Sequence, residues 1–342
     1  MRAAILTELN RPLVVADIEL PSQLQWGQVL VKVVCSGICG TQLGEIDGAK
    51  GEDKFLPHLL GHEGGGVVLE TGPGVSRVKK GDHVVMHWRK GLGIEAPPPK
   101  YLWNGKTVNA GWVTTFNEKA VVSENRLTSI PAYVDLELAA LMGCAIQTAL
   151  GIINNNAQIK FGQSVAIFGV GSIGLNLVQG SAMMGTYPLI AIDIHDSKLE
   201  AAQKYGASHT INATRSDVKE EILKIAGSAG VDVAIDNTGN VKVIELAYEV
   251  TSSSGRTVLV GVPRAGEKVK IYTLPLHFEK EIFGSFGGES NPTKDIPNYL
   301  KLYQNQRLDY KGMISHRYSL DEINTAIENI RAGKITKCMI QM

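Results

Sequence analysis

The segment Ser164–Gly174, SVAIFGVGSIG, decides the fold of this chain. Its first five residues predict a buried strand, three glycines in the pattern GxGxxG follow, and a helix is expected from Ser172 to about Met184. Asp193 stands nineteen residues after Gly174, at the end of the next predicted strand, Leu189–Asp193. A glycine-rich turn between strand and helix, with an acid at this distance, is the fingerprint of a dinucleotide-binding βαβ unit.

The acid at the end of the second strand also selects the cofactor. A carboxylate accepts hydrogen bonds from the adenosine ribose and repels a 2′-phosphate, so Asp193 favours NAD over NADP. Ile194 and His195 supply no arginine that would neutralise a phosphate, and Lys198 is the only nearby cation. From these residues alone, the predicted cofactor contacts are Gly169, Gly171, Ser172, Ile173, Gly174, Asp193 and Lys198.

Outside this segment, the distribution of predicted strands, helices and turn residues predicts two domains. Strand and helix patterns alternate from about 145 to 285, which is typical of a doubly wound parallel sheet. The first 130 residues are rich in short strands separated by Gly, Pro and Asp, and the tail after about 286 contains one clear helix, Leu320–Ala332. The sequence therefore predicts an α/β protein with a cofactor domain over 147–285 and a β-rich domain over 1–146 that continues in 286–342.

Composition excludes several classes of protein. The chain has 342 residues with 34 basic and 34 acidic side chains, so it lacks the surplus of positive charge expected of a nucleic-acid-binding protein. No apolar stretch is long enough to span a bilayer, and Glu8 and Arg11 interrupt any signal-peptide core. The four cysteines are too few and too dispersed for a disulfide scaffold, which predicts a cytoplasmic protein with reduced thiols.

Three residues are candidate metal ligands: Cys39, His62 and Cys144. Two thiolates and an imidazole suit zinc, and three protein ligands leave a fourth position open for water or substrate. The spacing of the three residues is not diagnostic, however, and each cysteine taken singly is typical of an inert buried residue. Residue chemistry alone leaves both interpretations open.

At these residues the chain resembles the zinc-dependent medium-chain alcohol dehydrogenase family. Gly61-His62-Glu63-x2-Gly66-x5-Gly72-x2-Val75 is similar to the zinc signature of that family, and Cys39-Gly40-Thr41 and Leu141-Met142-Gly143-Cys144 resemble its other two ligand turns. The dinucleotide loop, Asp193, Val260-Gly261-Val262 and the tail up to Gly333-Lys334 follow in the same order. The resemblance covers essentially the whole chain.

The resemblance implies a GroES-like β-rich catalytic domain, a Rossmann cofactor domain and NAD-dependent oxidation of a small-molecule alcohol to an aldehyde or ketone. It implies one catalytic zinc per chain, bound by Cys39, His62 and Cys144, with Glu63 beside the metal and Thr41 accepting the hydroxyl proton. It also adds four residues to the cofactor site, Thr238, Val260, Val262 and Lys337, the last of these near the pyrophosphate. Relatives associate as dimers or tetramers, so a homodimer or homotetramer is expected.

The sequence departs from the family pattern in three places. No cysteine lies between Cys39 and Cys144, so we expect no structural zinc lobe, and a Trp-rich segment over 88–112 takes its place. Gln42 stands where relatives have an aspartate that orients the histidine ligand, and a neutral amide there would make His62 less basic. Gly44 stands where some relatives have a proton-relay histidine.

Two other functions remain open from sequence. The first is a zinc-free quinone or enoyl reductase that prefers NADPH, which would lack the Cys and His ligands. The second is a non-catalytic dinucleotide-binding protein that has kept its fold and lost its chemistry. For the substrate we favour a polyol or sugar-like secondary alcohol, because polar side chains are frequent in the 88–112 segment: Arg89, Lys90, Glu95, Asn104 and Asn109.

Overall fold

In the computed structural model, which describes residues 1–342, the chain divides into two units. The first unit comprises Met1–Gln147 and Asn291–Met342, and the second comprises Thr148–Ser290. The strands are Arg2–Leu6 (β1), Val14–Asp17 (β2), Gln28–Gly37 (β3), His58–Leu59 (β4), Glu63–Thr71 (β5), His83–His87 (β6), Tyr101–Trp103 (β7), Lys106–Val108 (β8), Lys119–Ser123 (β9), Leu127–Ile130 (β10), Val165–Phe168 (β11), Leu189–Asp193 (β12), His209–Asn212 (β13), Val231–Asp236 (β14), Thr251–Leu259 (β15), Glu281–Gly284 (β16), His316–Ser319 (β17) and Cys338–Gln341 (β18). The helices are Gly40–Ile46 (α1), Leu136–Met142 (α2), Ala145–Gly151 (α3), Ser172–Met183 (α4), Asp196–Lys204 (α5), Val218–Ala226 (α6), Val241–Val250 (α7), Pro292–Gln304 (α8) and Ile323–Arg331 (α9).

The first unit is built on a sheet with the strand order β10-β6-β5-β3-β18-β17, in which β9 also pairs with β3. Successive residues of β3 point to alternate faces of the sheet, and Val29, Val31 and Val33 are fully buried in one core with Val84 of β6 and Val122 of β9. This alternation is what a strand with one face in a core requires. The β-rich first domain predicted from sequence is therefore present, and β5 and β3 deliver residues of the candidate site from its centre.

The Trp-rich segment contains a short hairpin that belongs to the first unit. β7 pairs with β8 around a turn in which Asn104 and Gly105 both have positive φ, as a two-residue hairpin requires. Tyr101 is fully buried and Trp103 packs against the core formed with β1 and β2. Both of these aromatic side chains therefore pack within the first unit.

The second unit holds the predicted doubly wound sheet. Its strand order is β13-β12-β11-β14-β15-β16, and all neighbours are parallel. Continuous apolar strands such as Val165–Phe168, buried throughout, are typical of a sheet covered on both faces. The predicted bounds of β12 match the structure, and those of β11 and α4 differ by one residue.

The prediction that the tail has one clear helix is wrong, because α8 is a second helix of 13 residues there. Its sequence is mostly polar and contains Pro297, which removes a backbone hydrogen bond and argues against a helix. Asn291 accepts a hydrogen bond from the N–H of Lys294 and Pro292 occupies the first turn, so the start of the helix is strongly specified.

No single helix is long and apolar enough to cross a bilayer, and one bent pair, Leu136–Met142 with Ala145–Asn156, meets that requirement by length and composition only.

Candidate active site

Three elements of the first unit bring Cys39, His62 and Cys144 together. Cys39 ends the turn after β3 and caps α1, His62 directly precedes β5, and Cys144 follows the end of α2. One candidate ligand atom from each residue lies within 4.8 Å of the other two. The structure therefore assembles the three ligands that the sequence separates by 23 and 82 residues.

The geometry of the cluster fits a tetrahedral zinc ion. The Sγ atoms of Cys39 and Cys144 are 3.9 Å apart, close to the ~3.8 Å separation of two thiolates that bind one tetrahedral zinc at about 2.3 Å. Nε2 of His62 is buried and has no hydrogen-bond partner, which is costly unless a ligand occupies its lone pair. Two thiolates and one imidazole, whose Nε2 has no other partner, are a set of three donors that suits zinc.

The Cys39 and Cys144 thiols shift each other's pKa. The hydrogen bond from the Cys144 thiol lowers the pKa of Cys39 well below its ordinary value, and the same bond, with burial, raises the pKa of Cys144. Burial works against a charge on His62, but the neighbouring Cys39 outweighs burial and raises the pKa of the ring. The three candidate ligands therefore interact directly with one another.

Glu63 and Lys337 form a buried ion pair next to this cluster. Both side chains are almost fully inaccessible, and the Lys337 ammonium also donates to the carbonyl oxygen of Ile38 at 3.0 Å. Burial raises the pKa of Glu63 and the ammonium opposes that effect. For Lys337, burial lowers the pKa, but the charges of Glu63 and Cys39 outweigh it, so the pKa is raised and the group stays charged.

Sequence reasoning missed this ion pair. It assigned Lys337 to the cofactor pyrophosphate, whereas the structure places the ammonium inside the first unit, on the carboxylate of Glu63. The signal was available: Glu63 is an acid beside a ligand in a stretch of apolar and glycine residues, and a buried acid needs a counter-charge. The cofactor role of Lys337 stays a prediction.

Thr41 and Trp88 border the metal cluster. Oγ1 of Thr41, an exposed residue in the first turn of α1, lies 3.8 Å from Sγ of Cys39. The ring of Trp88 meets the ring of His62 edge-on with centroids 6.4 Å apart, and the guanidinium of Arg89 lies over the indole.

The other polar side chains predicted for the pocket have partners or positions of their own. Lys90 pairs with Glu95, Asn104 is in the hairpin turn and Asn109 donates to the carbonyl oxygen of Phe55.

In the second unit, the glycine loop leaves room for a dinucleotide. A Cβ at Gly171 would meet no atom within 4 Å, and α4 begins there without a side-chain cap, so its first N–H groups can receive a phosphate. At Gly174 a Cβ would lie 2.1 Å from the carbonyl oxygen of Gly169, which makes this position a close helix–strand contact. The backbone thus has the open space at Gly171 and the close helix–strand contact at Gly174 that the dinucleotide-binding fingerprint predicts.

Asp193 lies where β12 ends, and it is tied to the glycine loop. Its carboxylate accepts from the backbone N–H groups of Val170, Ile194 and His195 at 2.9, 2.8 and 3.1 Å. Nζ of Lys198 is 4.0 Å away, so this cation neutralises the acid in part. The arrangement agrees with a ribose-binding acid.

A second acid, Asp236, supports the opposite side of the loop and was not predicted. Buried at the end of β14, it accepts from the hydroxyl and N–H of Thr238 at 2.6 and 3.0 Å and from the N–H of Gly239 at 3.0 Å. Burial raises its pKa, and the hydrogen bonds from Thr238 and Gly239 oppose that effect. The backbone of Val260 also bonds to Asp236, and Val262 is exposed beyond it.

Comparison with known proteins agrees with the fold and the metal cluster. Residues 25–132 match the alcohol dehydrogenase GroES-like domain family, and residues 172–305 match the zinc-binding dehydrogenase family. The chain is 30% identical to alcohol dehydrogenase 2 of Zea mays, in an alignment that covers 100% of this chain and 97% of the relative. An alcohol dehydrogenase of Malus domestica is equally similar, at 30% identity with the same coverage.

Comparison with solved structures supports the same fold. A zinc-binding alcohol dehydrogenase domain protein from Burkholderia ambifaria superposes with a TM-score of 0.92 at 28% identity, covering 100% of this chain and 98% of the other. Benzyl alcohol dehydrogenase from Acinetobacter calcoaceticus gives a TM-score of 0.90, also at 28% identity, with 100% and 99% coverage.

A GroES-like unit carrying a Cys2His cluster and a Rossmann unit with an NAD-type acid define a zinc-dependent dehydrogenase. The chain belongs to the zinc-dependent medium-chain alcohol dehydrogenase family. Its reaction class is hydride transfer between an alcohol and NAD, with a catalytic zinc, and its substrate is a small molecule. The zinc-free reductase interpretation does not account for the assembled ligands, and the relatives are enzymes rather than non-catalytic binding proteins.

Proposed function

We propose that Cys39, His62 and Cys144 hold the catalytic zinc, and that the chain oxidises a secondary alcohol with NAD at this centre. The observation that carries the proposal is the convergence of two thiols and an unpartnered ring nitrogen within 4.8 Å. Charge supports it: two thiolates neutralise a divalent ion, and Glu63 with Lys337 is neutral in itself. A loaded site would bury no net charge, which is the condition under which buried ions are tolerated.

When bound, the zinc would supply a Lewis acid that lowers the pKa of an alcohol, and NAD would supply the hydride acceptor. Thr41 accepts the hydroxyl proton, because its Oγ1 belongs to an exposed residue and lies 3.8 Å from Sγ of Cys39. Trp88 forms an apolar wall beside His62. Glu63, held by Lys337, keeps a fixed negative charge next to the cluster, and Gly44 supplies no side chain to a proton path.

We also propose that the second unit binds NAD through the loop Gly169–Gly174 and through Asp193. Gly171 and Ser172 offer backbone N–H groups to the pyrophosphate, with Ile173 and Gly174 completing the first turn of α4. Thr238, held by Asp236, lies with Val260 and Val262 at the carboxyl ends of the next strands, where ligands bind in open α/β sheets. This division gives the first unit the chemistry and the second unit the cofactor.

The substrate that we propose is a polyol or another vicinal secondary alcohol. The first support is Arg89, a polar group whose guanidinium lies over Trp88, the residue that contacts His62. The second is the structural likeness to 2R,3R-butanediol dehydrogenase from Bacillus subtilis, at a TM-score of 0.81 and 25% identity. The test is a panel of 2,3-butanediol, sorbitol, ethanol and benzyl alcohol assayed with NAD. A larger kcat/KM for benzyl alcohol than for the diols contradicts the proposed substrate and leaves the reaction class intact.

A homodimer or homotetramer in the cytoplasm completes the proposal. Strand β16 is an edge strand of the sheet in the second unit, and the exposed side chains of Tyr272, Leu274 and Phe278 shortly precede it in the chain. An open sheet edge with exposed apolar side chains is typical of surfaces that a second chain covers. All four cysteines are free thiols, as the reducing cytoplasm maintains them. Analytical ultracentrifugation tests the association, and a monomer at micromolar concentration contradicts it.

The experiment that tests the zinc site is Cys39→Ser and Cys144→Ser. We expect each variant to lose its zinc, about one ion per chain in the wild type, together with its activity, because a neutral hydroxyl is a poor substitute for a thiolate. Cys338→Ser is the matched control, since this thiol is buried outside the cluster and should leave zinc content unchanged. Full activity in a metal-free cysteine variant overturns the zinc mechanism.

A further inference from the structure

The side chain of Gln42 connects two of the proposed zinc ligands. It lies in the first turn of α1 and is almost fully buried, at 1% exposure. Its Oε1 accepts from the backbone N–H of Cys39 at 3.0 Å, and its Nε2 lies in hydrogen-bond contact with Nδ1 of His62. One amide therefore joins the turn that carries Cys39 to the ring of His62.

The partners of this amide fix its orientation. A backbone N–H can only donate, so the atom that faces Cys39 is the amide oxygen, and the amide NH2 faces His62. An NH2 group can only donate as well, so Nδ1 of His62 accepts and carries no proton. In a neutral ring the proton then resides on Nε2, the buried atom with no other partner.

Metal binding requires the opposite tautomer. Zinc takes the lone pair of Nε2, so the proton moves to Nδ1, which must then donate to an acceptor. The NH2 group of Gln42 cannot accept. The amide oxygen must leave the N–H of Cys39 and turn to His62, or it must accept from both donors at once.

We propose that Gln42 is a positioning residue that weakens zinc binding in this chain, because its single oxygen has to serve both Cys39 and His62 once the metal is bound. The inference rests on the proposed zinc site. A carboxylate at this position has two oxygens, one for each donor, and it raises the basicity of the ring. Partners of this kind alter metal affinity by about 10–100-fold. The zinc of this protein is accordingly more exchangeable than it would be with an acid at position 42.

The test is the zinc dissociation constant of wild type and Gln42→Glu, measured by competition between the loaded protein and a chromophoric chelator. We expect the variant to bind zinc about 10–100-fold more tightly. The double variant Gln42→Glu/Glu45→Gln keeps the net charge of α1, so tighter binding that persists there arises from contact with His62 rather than from added charge. Equal dissociation constants for wild type and Gln42→Glu overturn the inference.

A second measurement needs no variant and decides the matter if Gln42→Glu does not fold. Nitrogen NMR of 15N-histidine-labelled wild type should show the His62 proton on Nε2 in the metal-free protein and on Nδ1 in the zinc-loaded protein. A proton on Nδ1 in both forms overturns the inference. A wild type that binds no zinc contradicts the proposed function itself, whereas a wild type that binds zinc with no effect of Gln42→Glu contradicts the role of Gln42 alone.

Discussion

The ammonium of Lys337 and the carboxylate of Glu63 form a fully buried ion pair that joins β5 to the turn before β18. Each charge is inaccessible to water, so neither is stable without the other. The pair lies beside the three proposed ligands and holds a negative charge in place near the metal without leaving a net charge inside the unit. This arrangement makes Lys337 a structural partner of the active site.

We expect Lys337→Met to lower the free energy of unfolding by about 3–5 kcal/mol, because it leaves the Glu63 carboxylate buried without a counter-charge. Lys337→Met/Glu63→Gln should recover most of that loss, and Lys334→Met, at a neighbouring exposed lysine, should change little. Urea unfolding of the set measures the coupling. Unchanged stability of Lys337→Met with a tenfold weaker NAD affinity would instead support the pyrophosphate role predicted from sequence.

Asp193 should determine the choice between NAD and NADP. In Asp193→Gly/Ile194→Arg, loss of the carboxylate and gain of a cation at an exposed position should shift the ratio of kcat/KM values towards NADP. The carboxylate also accepts three backbone N–H groups, so Asp193→Asn is the control that keeps an acceptor and removes the charge. Steady-state kinetics with both cofactors give the answer, and an unchanged ratio in the double variant means that Asp193 does not contact the ribose.

The sequence predicted the second unit more completely than the first. In the second unit the information is local, because Gly169–Gly174 and the apolar strands around it follow each other in one βαβ pattern. Lys337 and Glu63 are 274 residues apart and no periodic pattern links them, so their ion pair is visible only in the folded structure. The three zinc ligands could be proposed from their motifs, but their convergence depends on how β3, β5 and α2 pack. Asp236 was missed because an acid that supports a turn has no motif.

Thr41 is the residue that we expect to accept the hydroxyl proton. Thr41→Val should retain the fold and the zinc but lower kcat by about 10²–10⁴, the usual contribution of a positioned acid–base group. Thr41→Ser keeps the hydroxyl and should stay within about tenfold of wild type. Turnover numbers are compared after the zinc content of each variant has been measured, and a wild-type rate for Thr41→Val rules out the proposed proton transfer.

His87 should make the stability of the protein fall as the pH is lowered. The ring is buried at the end of β6, where Nδ1–H donates to the carbonyl oxygen of Arg89 at 2.7 Å and Nε2 accepts from the hydroxyl of Thr128 at 2.9 Å. Only a neutral ring can accept at Nε2, and burial lowers the pKa of His87 to about 4. In the unfolded chain a histidine has a pKa of about 6.5.

The unfolded chain therefore binds a proton at His87 between about pH 6.5 and pH 4 while the folded protein does not, so stability is lost as the pH falls through this range. We expect this residue to remove about 2 kcal/mol between pH 7.5 and pH 5. Urea unfolding at the two pH values should show that loss in wild type and a correspondingly smaller one in His87→Gln, whose side chain cannot be protonated. The same substitution at the exposed His316 serves as the control, and an equal pH dependence in wild type and His87→Gln means that the buried ring is not neutral.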